Sequence, residues 1–363
     1  MRRIQVGDGV TASCVYAGQE IRLHSHGGTL WNRWAEKAKI DRDKIYRIKV
    51  EDRNKVYLPE NSYDLFGGFL NVTEIDTVNM DVSKVTDMSL LFRACKKLQS
   101  IELSTWNTSR VTTMAWMFQG CARLESLDLE HIDTSLVDDM GGMFCGCKNL
   151  KTLKLASWNT ANVKNAGYMF NGCNKIKKID VGRWNTENLG CCCCMFEACF
   201  DLESIDLTGW DTSNVKEMNG MFSDCTNLQS VNISGFNTKN ATTARGMFVG
   251  CKSLRNLDLQ CLDTSNITDM AYMFERCEKL TALDLSNFDT SKVTDMNGMF
   301  AGCTDLTSLD LRNFNIGNVT DMRSMFADCR NLKTILMPLC IDNKAATDNM
   351  FSDCACLSSV QMP

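Results

Sequence analysis

Phenylalanine recurs at positions 92, 118, 144, 170, 196, 222, 248, 274, 300 and 326, each step being 26 residues, and a further copy stands at Phe351, one residue early. Self-similarity at a fixed period of this length marks a solenoid. One unit is too small to bury its own apolar face, so it is stable only when stacked on its neighbours. That constraint overrides the two or three separate domains that 363 residues could otherwise form.

Read by its apolar columns, the unit is Val-x-x-Met-x-x-Met-Phe-x-x-Cys-x-x-Leu-x-x-Leu-Asp-Leu. Two periods lie inside it. Met140, Met143, Phe144 and Cys147 follow i, i+3, i+4, i+7, which predicts a short helical turn. Asp87, Asp139, Asp269, Asp295 and Asp321 precede that turn and are expected to accept its first backbone N–H groups. Leu127, Asp128 and Leu129 alternate in, out, in, as a short strand does, and strands of successive coils are expected to pair in parallel at ~4.8 Å. A bulky column follows at Trp106, Ile132, Trp158, Trp184, Trp210, Phe236, Leu262, Phe288 and Phe314. The Asn/Asp-Thr-Ser that comes next suits a turn whose side chains bond to backbone. The expected fold is an α/β repeat solenoid with one short parallel strand and one short helical turn per coil. It comprises about eleven coils over residues 63–363. Residues 1–62 depart from the repeat and are read as a β-rich cap that shields the first coil. Gln19–His24 and Lys44–Val50 alternate like strands, and Leu30, Trp31, Trp34, Ala35 and Ala38 fit one helical face.

Eleven of the 20 cysteines occupy one repeat position: Cys95, Cys121, Cys147, Cys173, Cys199, Cys225, Cys251, Cys277, Cys303, Cys329 and Cys354. Such a column forms a ladder of stacked thiols on one face. Its recurrence with the apolar columns predicts reduced cysteines packed in the core, which suits a reducing or anaerobic setting. The net charge is −5 and the basic residues are scattered, so no face is available to track nucleic-acid phosphates. No run of 18 apolar residues exists, so no membrane span is expected. The N-terminal Met-Arg-Arg-Ile-Gln-Val-Gly-Asp-Gly-Val lacks an apolar secretory core. This reads either as an intracellular chain or as one whose leader has been removed.

The stretch from Phe288 to Leu311, Phe-Asp-Thr-Ser-Lys-Val-Thr-Asp-Met-Asn-Gly-Met-Phe-Ala-Gly-Cys-Thr-Asp-Leu-Thr-Ser-Leu-Asp-Leu, resembles the bacterial leucine-rich-repeat surface proteins of the BspA type. The resemblance runs from about residue 56 to the C-terminus, and Phe66 stands 26 residues before Phe92. It implies a leucine-rich-repeat solenoid at the cell surface or secreted. The implied role is non-enzymatic adhesion or binding to host extracellular or bacterial surface proteins. No leader is visible and no anchor follows Pro363, so a cytoplasmic location stays open. A structural spacer and an intracellular interaction module are the competing readings.

Three features could carry chemistry. The first is the acidic column on the outward strand position, with Asp128, Asp180, Asp206, Asp258, Asp284 and Asp310 as the candidate binding residues; Lys154 and Asn232 interrupt it. Carboxylates ~4.8 Å apart repel by about 1 to 3 kcal/mol. The column therefore either attracts basic partners or a weakly held cation, or is consumed by local hydrogen bonds. The second is Cys191-Cys-Cys-Cys194, where Cys192 falls on the buried Met column and Cys191, Cys193 and Cys194 fall on variable, outward positions. Contiguous cysteines lack the Cys-x-x-Cys spacing typical of zinc, and drift within a tolerant repeat is the competing reading. The third is histidine. His24 and His26, two apart on a strand, are expected on one face, and His131 sits at a turn position. No nucleophile with a nearby base stands out from the repeat, so no catalytic residues, cofactor or metal are assigned.

Overall fold

The computed structural model describes residues 3–15, 18–51, 54–338 and 345–361. Met1, Arg2, Cys340 and Pro363 lie outside the described residues. The chain divides into two compact units, Met1–Asn165 with Met169–Ile176, and Ala166–Tyr168 with Lys177–Pro363.

The first unit opens with six strands in one sheet. These are β1 (Ile4–Val15), β2 (Glu20–Leu30), β3 (Arg47–Val50), β4 (Val56–Tyr57), β5 (Glu74–Ile75) and β6 (Met80–Asp81). Strands β5, β3, β2, β4 and β6 neighbour one another in that order, and β1 pairs antiparallel with β2. The apolar run near Trp34 yields only a four-residue helix, α1 (Trp34–Lys37), with Trp34 and Ala35 buried. Leu30 instead ends β2. Trp34 anchors the region to the repeat: its ring stacks on Phe69 at 5.9 Å, and its indole N–H donates to the Leu65 carbonyl at 3.0 Å.

The repeats of the first unit continue with the parallel pair β7 (Ser126–Asp128) and β8 (Thr152–Lys154). Leu127 and Leu129 point inward and Asp128 outward, as alternation requires. The second unit carries two parallel ribbons. One pairs β9 (Ser204–Asp206) with β10 (Ser230–Asn232); the other joins β11 (Ser308–Asp310), β12 (Thr334–Leu336) and β13 (Ser359–Gln361).

The expected helical turn is not a helix. In the coil of the second unit that starts at Ala244, the amides of Ala244, Gly246, Phe248 and Gly250 donate across to Asp269, Ala271, Met273 and Glu275 of the next coil, at 2.7 to 3.0 Å. The intervening amides of Met247, Val249 and Cys251 close four-residue turns back to Ala244, Gly246 and Phe248 at 3.1 Å. Gly246 and Gly250 take left-handed φ of 59° and 68°. The first unit repeats this pattern at Met114, Trp116, Phe118 and Gly120, which donate to Asp139, Gly141, Met143 and Cys145. An α-helix needs every N–H directed to the carbonyl four residues back and a right-handed φ throughout. A left-handed residue every fourth position breaks the helix, and alternate amides are committed to the neighbouring coil. The expected Asp acceptors are present all the same: Asp139, Asp269 and Asp295 take the N–H of Gly141, Ala271 and Asn297 at 2.8 to 2.9 Å.

The core is a set of stacked side-chain columns. Phe66, Phe92, Phe118, Phe144 and Phe170 stack at 5.5 to 5.9 Å in the first unit. In the second, Phe196, Phe222, Phe248, Phe274, Phe300, Phe326 and Phe351 stack at 5.5 to 5.9 Å. The Asx-Thr element also works between coils. Buried Thr108, Thr134, Thr212, Thr238, Thr264 and Thr290 donate their hydroxyls to the carbonyl 25 residues on, at 2.7 to 3.1 Å.

The described cysteines are free thiols. Along the repeat column thiols donate to the carbonyl of the phenylalanine one coil back: Cys121 to Phe92, Cys147 to Phe118, Cys251 to Phe222 and Cys303 to Phe274, at 3.1 to 3.2 Å. Burial pushes these thiols up, in the case of Cys277 to about 12.

Thr264 donates to the Asp289 carbonyl at 2.9 Å and accepts the Asp289 N–H at 2.8 Å. Thr264→Val should therefore remove two part-buried hydrogen bonds to the Asp289 backbone and cost about 0.5–1.5 kcal/mol for each. Urea denaturation measures it, and an unchanged midpoint would refute the cross-coil role. The cysteine column predicts loss of stability in alkali. Unfolded thiols ionise near pH 8.5 while the folded ones stay protonated, so stability is fully present below that pH and falls above it. The slope is about 1.4 kcal/mol per buried thiol per pH unit until the folded thiols ionise. Denaturation at pH 8, 9 and 10 should show this fall; a flat profile would place the thiols outside the core.

Candidate functional site

The strand face carries repeated exposed side chains. Its geometry follows from the parallel register, which sets Ser126 beside Thr152 and Asp128 beside Lys154 in the first unit. In the second it sets Ser204 beside Ser230 and Asp206 beside Asn232. Asp128, Asp180, Asp206, Asp258, Asp284 and Asp310 are all exposed. Asp128, Asp206 and Asp310 end strands, whereas Asp180, Asp258 and Asp284 lie in coils that form no strand, so the expectation of one strand in every coil does not hold. The column still reaches solvent, but much of its charge is engaged locally. Asp128 meets Lys154 at 2.7 Å. Asp310 takes a two-pronged contact from Arg312, at 2.7 Å to Nη2 and 3.0 Å to Nε. Asp206, Asp258 and Asp284 each accept the backbone N–H two residues on, from Thr208, Gln260 and Ser286, at 3.0 to 3.1 Å. These bonds hold the Asp128, Asp284 and Asp310 carboxyls below the usual carboxylate range, through Lys154, Ser286 and Arg312 respectively. Each of these aspartates shapes a turn and still presents negative charge to water. Leu283, Asp284, Leu285, Ser286, Asp310 and Arg312 line a shallow depression of about 430 Å³ on this face.

The histidines do not assemble. His24 is buried with Nε2 2.9 Å from the Ser13 hydroxyl, whereas His26 is exposed. The shared face expected of them is lost because the β1–β2 ladder shifts register between Asp8 and Val10, next to this part of β2. His131 Nε2 lies 2.7 Å from the Leu103 carbonyl, a structural contact.

The cysteine run divides. Cys192 and Cys193 are buried, and Cys191 and Cys194 are half-buried. Cys193 therefore does not face outward as its repeat position suggests; its Sγ lies 3.1 Å from that of Cys191. Cys194 turns to Glu197 and Tyr168, and burial with the Glu197 charge pushes its thiol up to about 12. The turn face carries a feature with a faint sequence signal. Trp116 and Tyr272 take left-handed φ of 59° and 60°, and in the next coil their rings lie where Gly142 and Gly298 have no side chain. An aromatic residue at one repeat position followed by glycine 26 residues later is that signal.

A family model described as "Mycoplasma protein of unknown function, DUF285" matches residues 61–179, 170–282 and 255–361. Similar solved structures include a leucine-rich cell surface protein of Faecalibacterium prausnitzii, with 15% identity over 100% of this chain and 95% of that one, at a TM-score of 0.39. A leucine-rich-repeat protein of Eubacterium ventriosum has 16% identity over 100% and 96%, at 0.41. One of T. pallidum has 16% identity over 75% and 88%, at 0.32. No curated protein sequence matches the chain.

The local bonds of the strand face predict that its charge survives mild acid. Carboxyl titration by NMR should give Asp284 and Asp310 midpoints below the ordinary 3.8. Midpoints at or above that value would mean that the turn bonds do not favour the ionised form.

Proposed function

The chain belongs to the DUF285 family, and from that membership and its BspA-like 26-residue leucine-rich repeat we propose a protein-binding module that presents its strand face to a partner protein. One observation carries the reading. The backbone of β7 pairs with β8 and that of β11 with β12, coil to coil, while residues such as Ser126, Asp128, Glu130, Ser308, Asp310 and Arg312 stay in water. The face can change its side chains without unpairing its backbone. The aspartates add a negative field suited to a partner with basic groups. The BspA-type resemblance supports a host extracellular or bacterial surface protein as partner, with the module at the cell surface or secreted. Among the described residues, no helix is long and apolar enough to cross a membrane. Residues 1–62 act in this reading as the cap, a role supported by the packing of Trp34 on Phe66 and Phe69.

Parallel pull-downs from extracellular matrix and from bacterial lysate identify the partner, whose affinity is then measured for two paired variants. Asp258→Asn with Asp284→Asn alters the strand face. Arg245→Gln with Arg323→Gln alters the turns, removing exposed ion pairs to Asp269, Asp295 and Asp321 that add little stability. The strand-face variant should bind roughly tenfold more weakly, equivalent to about 1.4 kcal/mol. Wild-type affinity should fall with added salt. Loss confined to the turn variant would move the site off the strands.

A further inference from the structure

The cysteine run creates a grouping that the repeat does not otherwise contain. The Sγ atoms of Cys191 and Cys193 and a carboxylate oxygen of Glu217 all lie within 4.8 Å of one another. Among the described residues this is the single grouping of three histidine, cysteine or carboxylate donors so close together. All three belong to the second compact unit. Cys191 and Glu217 share one repeat position in adjacent coils, joined by a parallel bridge. That position holds Asp139, Asp269, Asp295 and Asp321 elsewhere, where the carboxylate fixes the turn by accepting the N–H two residues on. A thiol is a poor substitute for that acceptor. This coil carries sulfur at that position and a second sulfur two residues later, 3.1 Å from the first.

We propose that Cys191, Cys193 and Glu217 form a binding site for a thiophilic divalent cation of the zinc class. Two thiolates and one carboxylate supply three ligands of a tetrahedron, with water in the fourth position. The donors suit a soft or borderline ion over calcium or magnesium, which prefer oxygen. With Zn–S bonds of about 2.3 Å, the sulfurs of a tetrahedral site stand about 3.8 Å apart. Binding thus needs them to open from 3.1 Å. The shared thiol proton that now holds them together leaves when the ion enters. Glu217 is exposed and Cys191 half-buried, so the ion has a path from solvent. Cys194 stays outside the site, its Sγ 3.7 Å from the Asn219 carbonyl. The binding of two thiolates releases protons, so affinity should rise with pH.

The site is independent of the strand-face reading, and its test needs no partner protein. Cobalt(II) is titrated into the whole chain, kept reduced with a phosphine and free of oxygen. Thiolate-to-cobalt absorption should saturate at one equivalent, and zinc should displace it. Cys191→Ser with Cys193→Ser should abolish the band, and Glu217→Gln should weaken binding at least about tenfold. Cys354→Ser with Cys356→Ser should leave it unchanged. Since cysteine replacements could disturb folding, zinc-edge X-ray absorption on the wild type provides a second measurement, with two sulfur ligands expected. Fewer than two sulfurs, or equal cobalt uptake by wild type and the Cys191→Ser, Cys193→Ser variant, would overturn the proposal.

Discussion

The alternating backbone ladder of the turn segment is the interaction on which each unit depends. Every second amide leaves its coil for the next, and every amide between closes a tight turn within the coil. In the coil at Ala244 this accounts for each N–H from Ala244 to Cys251 except that of Arg245, and Arg245 donates to the Thr243 hydroxyl at 3.2 Å. An isolated coil would leave half of these donors to water and forgo the net gain of several intramolecular hydrogen bonds, each worth about 0.5–1.5 kcal/mol. Secondary structure and coil stacking are therefore one event. The left-handed residues follow from the same arrangement, because alternate peptides must turn outward to reach the neighbour.

Side chains then serve the lone pairs that the ladder leaves over. The Phe92 carbonyl accepts the Cys95 N–H at 3.2 Å and, from one coil on, the Cys121 thiol at 3.2 Å. A serine hydroxyl could make a similar bond, but cysteine does so with less desolvation cost and fills the space as an apolar group. Recurrence of cysteine thus needs neither disulfide nor metal along the column. Cys191 and Cys193 differ because they stand off that column, where their neighbour is a carboxylate.

The legibility of each element depended on whether its geometry is local. The strand around Leu127 and the Asx-Thr turn were readable, since alternation and side-chain-to-backbone bonds involve adjacent residues. The segment Met140, Met143, Phe144, Cys147 was misread as helical. Spacings of three and four bury the same residues whether the chain coils as a helix or as successive four-residue turns. The discriminating signal was glycine at Gly142 and Gly146, which take φ of 59° and 73° and are poor occupants of a helix interior. The placement of the acidic column was readable, but its bonds to Lys154 and Arg312 depend on side-chain reach. Glu217 could have been placed over Cys191 by adding 26. The 3.1 Å approach of Cys191 to Cys193 depends on a turn that no spacing rule describes.

The two faces of a coil differ in how freely they can vary. On the turn face, a side chain built on Gly298 would put its Cβ 2.7 Å from the Tyr272 ring, and the left-handed φ of 59° further opposes replacement. Tyr272 and Gly298 are therefore coupled, and the same holds for Trp116 and Gly142. A change in one coil constrains the next. On the strand face, the outward residue at Asp206 meets Asn232, and that at Asp128 meets Lys154, with neither pair filling buried space. Acid, amide and base all occur there because the position lies outside the packed core. The strand positions can therefore vary while the stacking stays intact. The turn positions are bound by their neighbours.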